Sequence, residues 1–182
     1  MWWRRGSRRQ GAGELAAAQS AQQSGRLAPA VTLRPMTEAE YGAYRAVLDD
    51  HYARDTARAM DIAIEEARVV TERQVADLLK DGLATEGHHL WNVVSEQDGP
   101  VGSLWVFVDP ANRRAFIYDI VINERYRGKG YGKAAMLAVE SAVRPMGAAH
   151  VDLNVFGYNT TARRLYEGLG YEPLAIGMRK AL

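Results

Sequence analysis

The spacing of apolar residues changes along the chain and predicts alternating helices and strands. A short apolar run at Val31–Arg34 indicates a strand that ends at Pro35. A Thr37-x-x-Glu40 capping box then predicts the start of a helix that runs to about Met60. Apolar and aromatic residues recur in this helix at helical spacing, so we expect them to form its buried stripe: Tyr41, Tyr44, Val47, Leu48 and Tyr52.

A second capping box, Thr71-x-x-Gln74, predicts another helix over Val75–Gly82. The segment between the two boxes is also helix-prone, through Ile62 and Ile64, but its composition does not fix where a helix begins. The two boxes therefore predict two helices before the next strand.

A period of two residues then replaces the helical period. His89–Gln97 and Val101–Asp109 flank an Asp-Gly turn, which is a strong hairpin signal, and Arg113–Ile122 continues the meander. The remaining elements are predicted as a helix, a strand, a helix and a strand: Ala134–Val143, Val151–Phe156, Thr161–Gly170 and Leu174–Lys180. The order β-α-α-β-β-β-α-β-α-β predicts an α/β fold, with a mixed central β-sheet flanked by helices on both faces.

A glycine-rich run, Arg127–Lys133, lies between the third strand of the meander and the helix that follows it. The first N–H groups of a helix have no intrahelical partner, and the helix dipole places partial positive charge there. Glycines let the backbone approach an anion closely, and Arg127, Lys129 and Lys133 add full charges. The run therefore predicts a phosphate or pyrophosphate site.

Two familiar phosphate-binding patterns do not fit this run. A Walker A loop needs Ser or Thr after its Lys, whereas Lys133 is followed by Ala134. A dinucleotide fingerprint needs Gly-x-Gly-x-x-Gly, whereas the glycines here simply alternate with other residues. The pattern that fits is Arg/Gln-x-x-Gly-x-Gly/Ala, with Arg127, Gly130 and Gly132 in register.

A second motif follows after one helix and one strand. Six residues match Asn-x-x-Ala-x-x-Leu-Tyr-x-x-x-Gly-Phe/Tyr position by position: Asn159, Ala162, Leu165, Tyr166, Gly170 and Tyr171. With both motifs in this order, the chain resembles the GNAT N-acetyltransferase superfamily from about Leu33 to Lys180. The resemblance implies the GNAT fold, in a single domain over residues 29–182.

The resemblance implies that acetyl-CoA is the co-substrate and that the glycine-rich run binds its pyrophosphate. The cofactor-binding residues would then be Arg127, Gly128, Lys129, Gly130, Tyr131, Gly132 and Lys133. In the family, the preceding strand is splayed by a bulge and binds the pantetheine arm through its backbone, here at Ile120, Val121 and Ile122. Asn159 matches a family residue that contacts the cofactor, although Asn is also a favourable helix N-cap.

Two residues are candidates for catalysis. Tyr166 matches the family position whose hydroxyl faces the CoA sulfur, which would make it the general acid; the alternative is a tyrosine packed in the core. Asp119 interrupts an apolar strand and is the first candidate for the general base. A structural ion pair of Asp119 with a nearby arginine, Arg113, Arg114 or Arg163, is the competing interpretation.

Composition agrees with a single globular domain. The chain has 182 residues, of which 47% are hydrophobic, and it has no Cys, which excludes disulfides and thiolate metal sites. The four His have no metal-site spacing, so we expect no metal. No apolar run approaches the ~20 residues of a membrane helix, so we expect a cytoplasmic protein without a membrane partner.

Charge is distributed unevenly. Residues 1–28 carry five Arg and one Glu, whereas the remainder holds 18 basic and 21 acidic side chains. We expect residues 1–28 to form a disordered basic tail; a start codon assigned too far upstream and a nucleic-acid-contacting arm are the alternatives.

The motifs favour transfer of an acetyl group from acetyl-CoA to a primary amine, on a small molecule or a protein, by direct attack. The alternatives are a longer acyl group, a hydroxyl acceptor, or a CoA-binding regulatory module tethered to nucleic acid by its basic arm. We expect no nucleic-acid partner, and a homodimer is left open.

Overall fold

The computed structural model describes residues 29–180, in which helices and strands alternate around one sheet. The elements are β1 (Val31–Pro35), α1 (Glu38–Met60), α2 (Ile64–Leu78), β2 (His88–Ser95), β3 (Gly99–Asp109), β4 (Arg114–Ile122), α3 (Tyr131–Val143), β5 (His150–Leu153) and α4 (Thr160–Glu167). The strands lie in the order β1-β2-β3-β4-β5. Strands β1 to β4 are antiparallel, and β5 is parallel to β4, so the predicted mixed sheet is confirmed.

Two separate clusters of buried side chains cover the two faces of the sheet, because successive residues of a strand point to opposite faces. On one face, α3 and α4 pack on the strands through Val93, Leu104, Val106, Ile117, Met136 and Tyr166. On the other, α1 and α2 pack on them through Leu48, Val75, Leu90 and Trp105. We call these the α3/α4 face and the α1/α2 face. Helices on both faces were predicted, and this is confirmed.

Helix α1 begins with the predicted capping box. The side chain of Thr37 accepts a hydrogen bond from the backbone N–H of Glu40, and the Glu40 carboxylate accepts one from the N–H of Thr37. Of the predicted buried stripe, Tyr44 and Leu48 are buried in the core. Val47 is 52% exposed, so its assignment to the stripe was wrong. The buried stripe by which α1 packs on the sheet is therefore narrower than the spacing of its apolar residues predicts.

The predicted capping box at Thr71 was wrong. Helix α2 already begins at Ile64, and Thr71 lies buried in its interior. The Thr71 hydroxyl donates to the carbonyl of Ala67 at 3.0 Å, which satisfies it within the helix. The same Thr-x-x-Gln spacing therefore occurs where the side chain bonds backwards along the helix rather than capping a new one.

The last predicted strand does not form, and the one before it is shorter than expected. Leu174–Lys180 is irregular, and its alternating apolar side chains are exposed: Leu174, Ile176 and Met178. Alternation predicts a strand, but a strand also needs a neighbour for its backbone hydrogen bonds, and no strand of residues 29–180 pairs with this segment. Strand β5 ends at Leu153 rather than Phe156, because its pairing with β4 ends there.

Three expectations from the sequence concern features other than helices and strands: the N-terminal tail, membrane segments and metal sites. Residues 1–28, for which we expect a basic tail, are outside the described residues. Within residues 29–180, no helix is both long enough and apolar enough to cross a membrane. The same residues bring no three His, Asp or Glu side chains together in an arrangement suited to a metal ion.

Candidate functional site

Strand β4 leaves its neighbour β5 halfway along its length. The parallel pairing stops at Ile117 and Leu153, and a bulge follows, because Trp105 of β3 pairs with Asp119 whereas Val106 pairs with Ile117. Tyr118 is the extra residue in this bulge. Among residues 29–180, no strand therefore lies beside β4 from Tyr118 to Ile122 on the side away from β3, and this is the splayed edge that the family resemblance implies.

The backbone groups at this open edge can be assigned from the hydrogen bonds around them. Asn123 donates to Val101 of β3, and the carbonyl of Val121 approaches β3 at Gly102, where an added Cβ would come within 2.2 Å of it. The backbone N–H and C=O groups of successive residues point to opposite edges of a strand. Those of Tyr118, Ile120 and Ile122 therefore point to the open edge.

Two carbonyls at the open edge already have partners. The hydroxyl of Tyr52 donates to the carbonyl of Tyr118 at 2.6 Å, and Nε of Arg127 donates to the carbonyl of Ile122 at 3.0 Å. Ile120 thus presents its N–H and C=O between these two bonds. Of the three residues predicted to contact pantetheine, Ile120 and Ile122 face the edge, whereas the backbone of Val121 faces β3.

The glycine-rich run forms a loop at the N-terminus of α3. Gly128 and Gly130 have φ of +71° and +91°, a conformation that side chains other than glycine disfavour, and Gly130 is the N-cap residue. The next N–H groups, from Tyr131 to Lys133, precede the first possible intrahelical bond. Lys129 and Lys133 are exposed beside them, so the loop combines free N–H donors with positive charge.

The side chains of Tyr131 and Arg127 have structural partners. Tyr131 is buried, and its hydroxyl donates to Asp98 and contacts Ser95 in the β2–β3 hairpin. Arg127 is held against the carbonyl of Ile122, which fixes the loop to the end of β4. Tyr131 can therefore offer an anion its backbone N–H only, whereas the sequence motif did not separate backbone from side chain.

Asn159 and Tyr166 lie at the two ends of α4. The side chain of Asn159 accepts a hydrogen bond from the N–H of Ala162 at 3.2 Å, so it is the N-cap. Tyr166 is buried against the sheet, with its ring 6.0 Å from that of Tyr171. Burial raises the pKa of the Tyr166 phenol, and the negative charge of Asp119 raises it further. The phenol therefore stays protonated and lies within electrostatic reach of Asp119.

A cleft of about 300 Å³ opens on the α1/α2 face, between α1 and strands β2 to β4. Its polar lining comes from distant parts of the chain: Glu40, Tyr44, His51, Asn92, Ser103, Asp119 and Asn123. Apolar side chains, including Val47 and Val121, separate these groups. A cleft with an apolar lining and a few polar groups is the usual form of a small-molecule site.

Asp119 lies in this cleft and is bonded to α1. The hydroxyl of Tyr44 donates to Oδ2 of Asp119 at 2.9 Å. Burial raises the pKa of Asp119 to about 6; the bond from Tyr44 and the charge of His51 lower it, and Asp55 raises it. A carboxyl with this pKa is mostly ionised at neutral pH yet accepts a proton more readily than an exposed one.

The competing interpretation of Asp119, an ion pair with an arginine, is wrong for the described residues. Arg114 pairs with Asp152 at 2.7 Å, and Arg163 lies 3.4 Å from Glu167. Tyr44 is the partner that sequence reasoning missed, because it was assigned to the apolar stripe of α1. A tyrosine in a buried stripe usually finds a partner for its hydroxyl, and the lone acid of β4 was the available group.

The fold, the glycine-rich loop at the start of α3 and the splayed strand are those expected of an acyltransferase, and comparison with known proteins agrees. The chain belongs to the acetyltransferase (GNAT) family, whose model matches residues 43–171. It is similar to the uncharacterized N-acetyltransferases YycN and YdgE of Bacillus subtilis (strain 168), at 38% identity over 154 residues and 33% over 155 residues. Each match covers 84% of this chain and 99% of the relative.

The crystal structure of YycN from Bacillus subtilis has the same architecture. It matches with a TM-score of 0.79 at 38% identity, over 84% of this chain and 98% of that chain. Both the family and the fold implied by the two sequence motifs are therefore confirmed. The protein is an acetyltransferase of the GNAT family, in which acetyl-CoA is the usual acyl donor.

Proposed function

We propose that the protein transfers the acetyl group of acetyl-CoA to a primary amine by direct attack, with Asp119 as general base and Tyr166 as general acid. One observation carries this proposal. The open edge of β4 at Ile120 lies next to Asp119, whose carboxyl opens into the cleft on the α1/α2 face. A donor bound along the edge and an acceptor bound in the cleft would meet at this strand.

The residues present fit acetyl-CoA. Free N–H groups and the exposed side chains of Lys129 and Lys133 suit its pyrophosphate, and the backbone of Ile120 and Ile122 suits the amides of its pantetheine arm. Asn159 would contribute beside the arm while it caps α4. Bound in this way, acetyl-CoA supplies an acyl group already activated as a thioester, so the protein mainly positions groups and moves protons.

Asp119 would act on the amine. The amine nitrogen must be neutral before it can form a bond to the acetyl carbon, and the proton it loses goes to the Asp119 carboxylate, directly or through water. The raised pKa of Asp119, about 6, suits a group that accepts this proton near neutral pH. Tyr44 holds the carboxylate in place through its hydrogen bond and does not itself touch the reacting atoms.

Tyr166 would act on the leaving group. When the carbon–sulfur bond breaks, CoA departs as a thiolate, and a phenol can protonate it because the pKa of a thiol in water lies only ~1.5 below that of a phenol. The burial that raises the pKa of Tyr166 also raises the pKa of a thiol in the same surroundings. No hydrogen bond to another residue within 29–180 occupies the Tyr166 hydroxyl, so it is available for this role. The amide and free CoA thiol are the products.

The test is acceptor-dependent release of the CoA thiol. The full chain is incubated with acetyl-CoA and a panel of alkylamines, amino amides, peptides and aminoglycosides, and the acetylated product is identified by mass spectrometry. We expect thiol release to depend on an amine and to yield an amide. Binding of acetyl-CoA without turnover on any amine would contradict the proposal and would favour a cofactor-binding module.

A further inference from the structure

A buried side-chain nitrogen beside the cleft lacks a hydrogen-bond partner among residues 29–180. Nδ2 of Asn92 is shielded from solvent and makes no hydrogen bond within residues 29–180. Buried amide donors are nearly always hydrogen-bonded, because removing one from water without a partner costs free energy. Asn92 as a residue lines the cleft, on the α1/α2 face of β2. Its Nδ2 atom is covered, so the amide must turn toward the cleft before it can donate to a ligand there.

The sheet register places Asn92 relative to Asp119. Asn92 pairs with Ser103, and Ser103 pairs with Val121, so these three form one row across β2, β3 and β4. Asp119 lies two residues from Val121 along β4, on the same side. Two strand spacings and two residue rises put the Cα atoms of Asn92 and Asp119 about 12 Å apart. Because both side chains stand roughly perpendicular to the sheet, their polar atoms are also about 12 Å apart. A ligand between them, with a hydrogen bond of about 3 Å at each end, would therefore have its two polar groups about 6 Å apart.

The charges of the cleft limit what the second group can be. Within residues 29–180 its lining has no Lys or Arg, and its charged or titratable members are Glu40, Tyr44, His51 and Asp119. Glu40 is already paired with Arg34 and bonded to the N–H of Thr37. Arg34 lies directly opposite Asn92 in the pairing of β1 with β2, but its guanidinium is already bound by the Glu40 carboxylate. A carboxylate or phosphate at the Asn92 end would therefore have to compete with Glu40 for this guanidinium. An uncharged oxygen, such as an amide carbonyl, would accept the Asn92 N–H without this competition.

We propose that the acceptor is a primary amine carrying an uncharged carbonyl oxygen about 6 Å away, and that Asn92 selects it by donating to that oxygen. This inference rests on the proposed function, because Asp119 is what fixes the position of the amine. The apolar side chains of Val47, Leu48 and Val121 line the space between the two ends and suit the methylenes that join the two groups. Ser103, in the same row as Asn92, adds a hydroxyl beside the carbonyl position.

The test is a ladder of acceptors assayed with the full chain and acetyl-CoA. It compares ω-amino amides of increasing length with the matched ω-amino carboxylates and with alkylamines that have no oxygen. We expect kcat/KM to be highest for an amide with about three or four methylenes between its groups, since extended bonds of about 1.5 Å then span the gap. The matched alkylamine should be about tenfold worse, the ratio that one hydrogen bond provides.

Two variants assign that preference to Asn92. In Asn92→Leu the donor is lost, so the advantage of the amide over the alkylamine should disappear, mainly through KM. In Asn92→Asp the size is kept but the donor becomes an acceptor, so the amide should lose its advantage there too. Thermal unfolding shows whether each variant is folded. If only one of them folds, the amide preference of that variant is the result that counts.

The possible outcomes separate this inference from the proposed function. If the wild-type chain acetylates amides and alkylamines equally well, or if Asn92→Leu keeps the amide preference, the role of Asn92 is wrong while the amine acetyltransferase remains. If carboxylates are the best acceptors, the charge argument fails. If no amine of the ladder or of the wider panel is acetylated, the proposed function fails, and this inference fails with it.

Discussion

The two faces of the sheet differ in how their functional groups are encoded. On the α3/α4 side, the strand edge, the anion-binding loop and the helix that carries Tyr166 all come from the continuous stretch 114–171. On the α1/α2 side, the cleft collects side chains from the β1–α1 junction, α1, β2, β3 and β4. The first side is built mainly from backbone groups, whereas the second is built from side chains that meet only after folding.

This difference explains why one half of the reaction is easier to assign than the other. A site made of backbone groups requires particular residues at fixed local spacing, such as Gly128 and Gly130 with positive φ. Such a site can therefore be recognised as a sequence motif. Acceptor recognition needs only that suitable side chains converge, and Tyr44 and Asp119 are 75 residues apart. Under the proposed function, the donor is therefore the one usual in the family, whereas the acceptor depends on the cleft of this chain.

The largest expected effect separates chemistry from binding on the α3/α4 side. Tyr166→Phe removes only a hydroxyl, and loss of a general acid typically lowers kcat by about 10²–10⁴-fold. The Kd of acetyl-CoA, measured by calorimetry, should change little. Tyr171→Phe is the matched control, because its ring packs on Tyr166 while its hydroxyl bonds to Glu140. Equal losses in the two variants would show that Tyr166 acts only through packing.

The next effect tests the α1/α2 side. Asp119→Asn should lower kcat/KM by about 10²-fold, since it removes the proton acceptor. In the wild type, the carboxyl must be ionised to act, so kcat/KM should rise as pH increases through about 6, and this limb should be absent from Asp119→Asn. The comparison is made from pH–rate profiles of both proteins.

Tyr44→Phe sharpens the same prediction. The hydrogen bond from Tyr44 lowers the pKa of Asp119, so its removal should move the limb of the profile to higher pH. His51, Asp55 and Tyr166 also interact with this carboxyl, and they are unchanged in the variant. A limb that stays in place in Tyr44→Phe, or that persists in Asp119→Asn, would assign the titration to another group.

The sequence predicted the parts of this molecule that depend on local geometry. The capping box at Thr37, the glycine loop and the order of the elements up to α4 follow from spacing and from residues with restricted backbone preferences. The box at Thr71 failed because its side chain bonds to Ala67 within a helix that had already begun. Local pattern alone does not say whether a hydroxyl points forward or backward along the chain.

The parts that sequence reasoning missed depend on which strands are neighbours and in what register. Asn92 reaches the cleft because it pairs with Ser103, and nothing near Asn92 in the sequence indicates this pairing. Leu174, Ile176 and Met178 alternate as strand residues do, but alternation does not supply a strand to pair with. Long-range pairing thus decides both which side chains line the cleft and whether the last segment forms a strand.

A third prediction links the cleft to stability. The pKa of Asp119 is about 6 in the folded protein against an ordinary value of 3.8, so the folded state binds the proton more tightly. Stability should therefore fall as pH rises from about 4 to about 6, at most by about 3 kcal/mol for a shift of this size. Asp119→Asn lacks this term, so the variant should gain stability relative to the wild type as pH increases.

Urea unfolding of the two proteins at pH 4 and pH 7.5 measures this difference. The sign of the difference is the informative part, because a carboxylate that is ionised in a desolvated cleft lowers the stability of the folded state. A wild type that becomes more stable than Asp119→Asn on going to pH 7.5 would mean that the carboxylate is a structural anchor. In that case, the ionised carboxylate on the α1/α2 side would stabilise the folded state instead of destabilising it.

The smallest effect tests the anion-binding loop. Gly130 is a poor site for substitution, because its φ is +91° and an added Cβ would meet Pro29 at 3.1 Å. Lys133→Glu changes charge in the exposed first turn of α3 without altering the backbone, and we expect the Kd of acetyl-CoA to rise about tenfold at low salt. Arg144→Glu, at the other end of the same helix, makes the same change in net charge and should leave Kd nearly unchanged.

Two further measurements, the dependence on ionic strength and the KM for the amine, determine how the effect of Lys133→Glu is interpreted. Because surface charges are screened, the gap between wild type and Lys133→Glu should narrow as ionic strength rises. The KM for the amine should not follow the Kd of acetyl-CoA, since the loop and the cleft lie on different sides of β4. If Lys133→Glu weakened the acceptor as much as the donor, the two sides of the sheet would not act as separate binding sites, and the division between a motif-encoded donor site and a cleft-encoded acceptor site would fail.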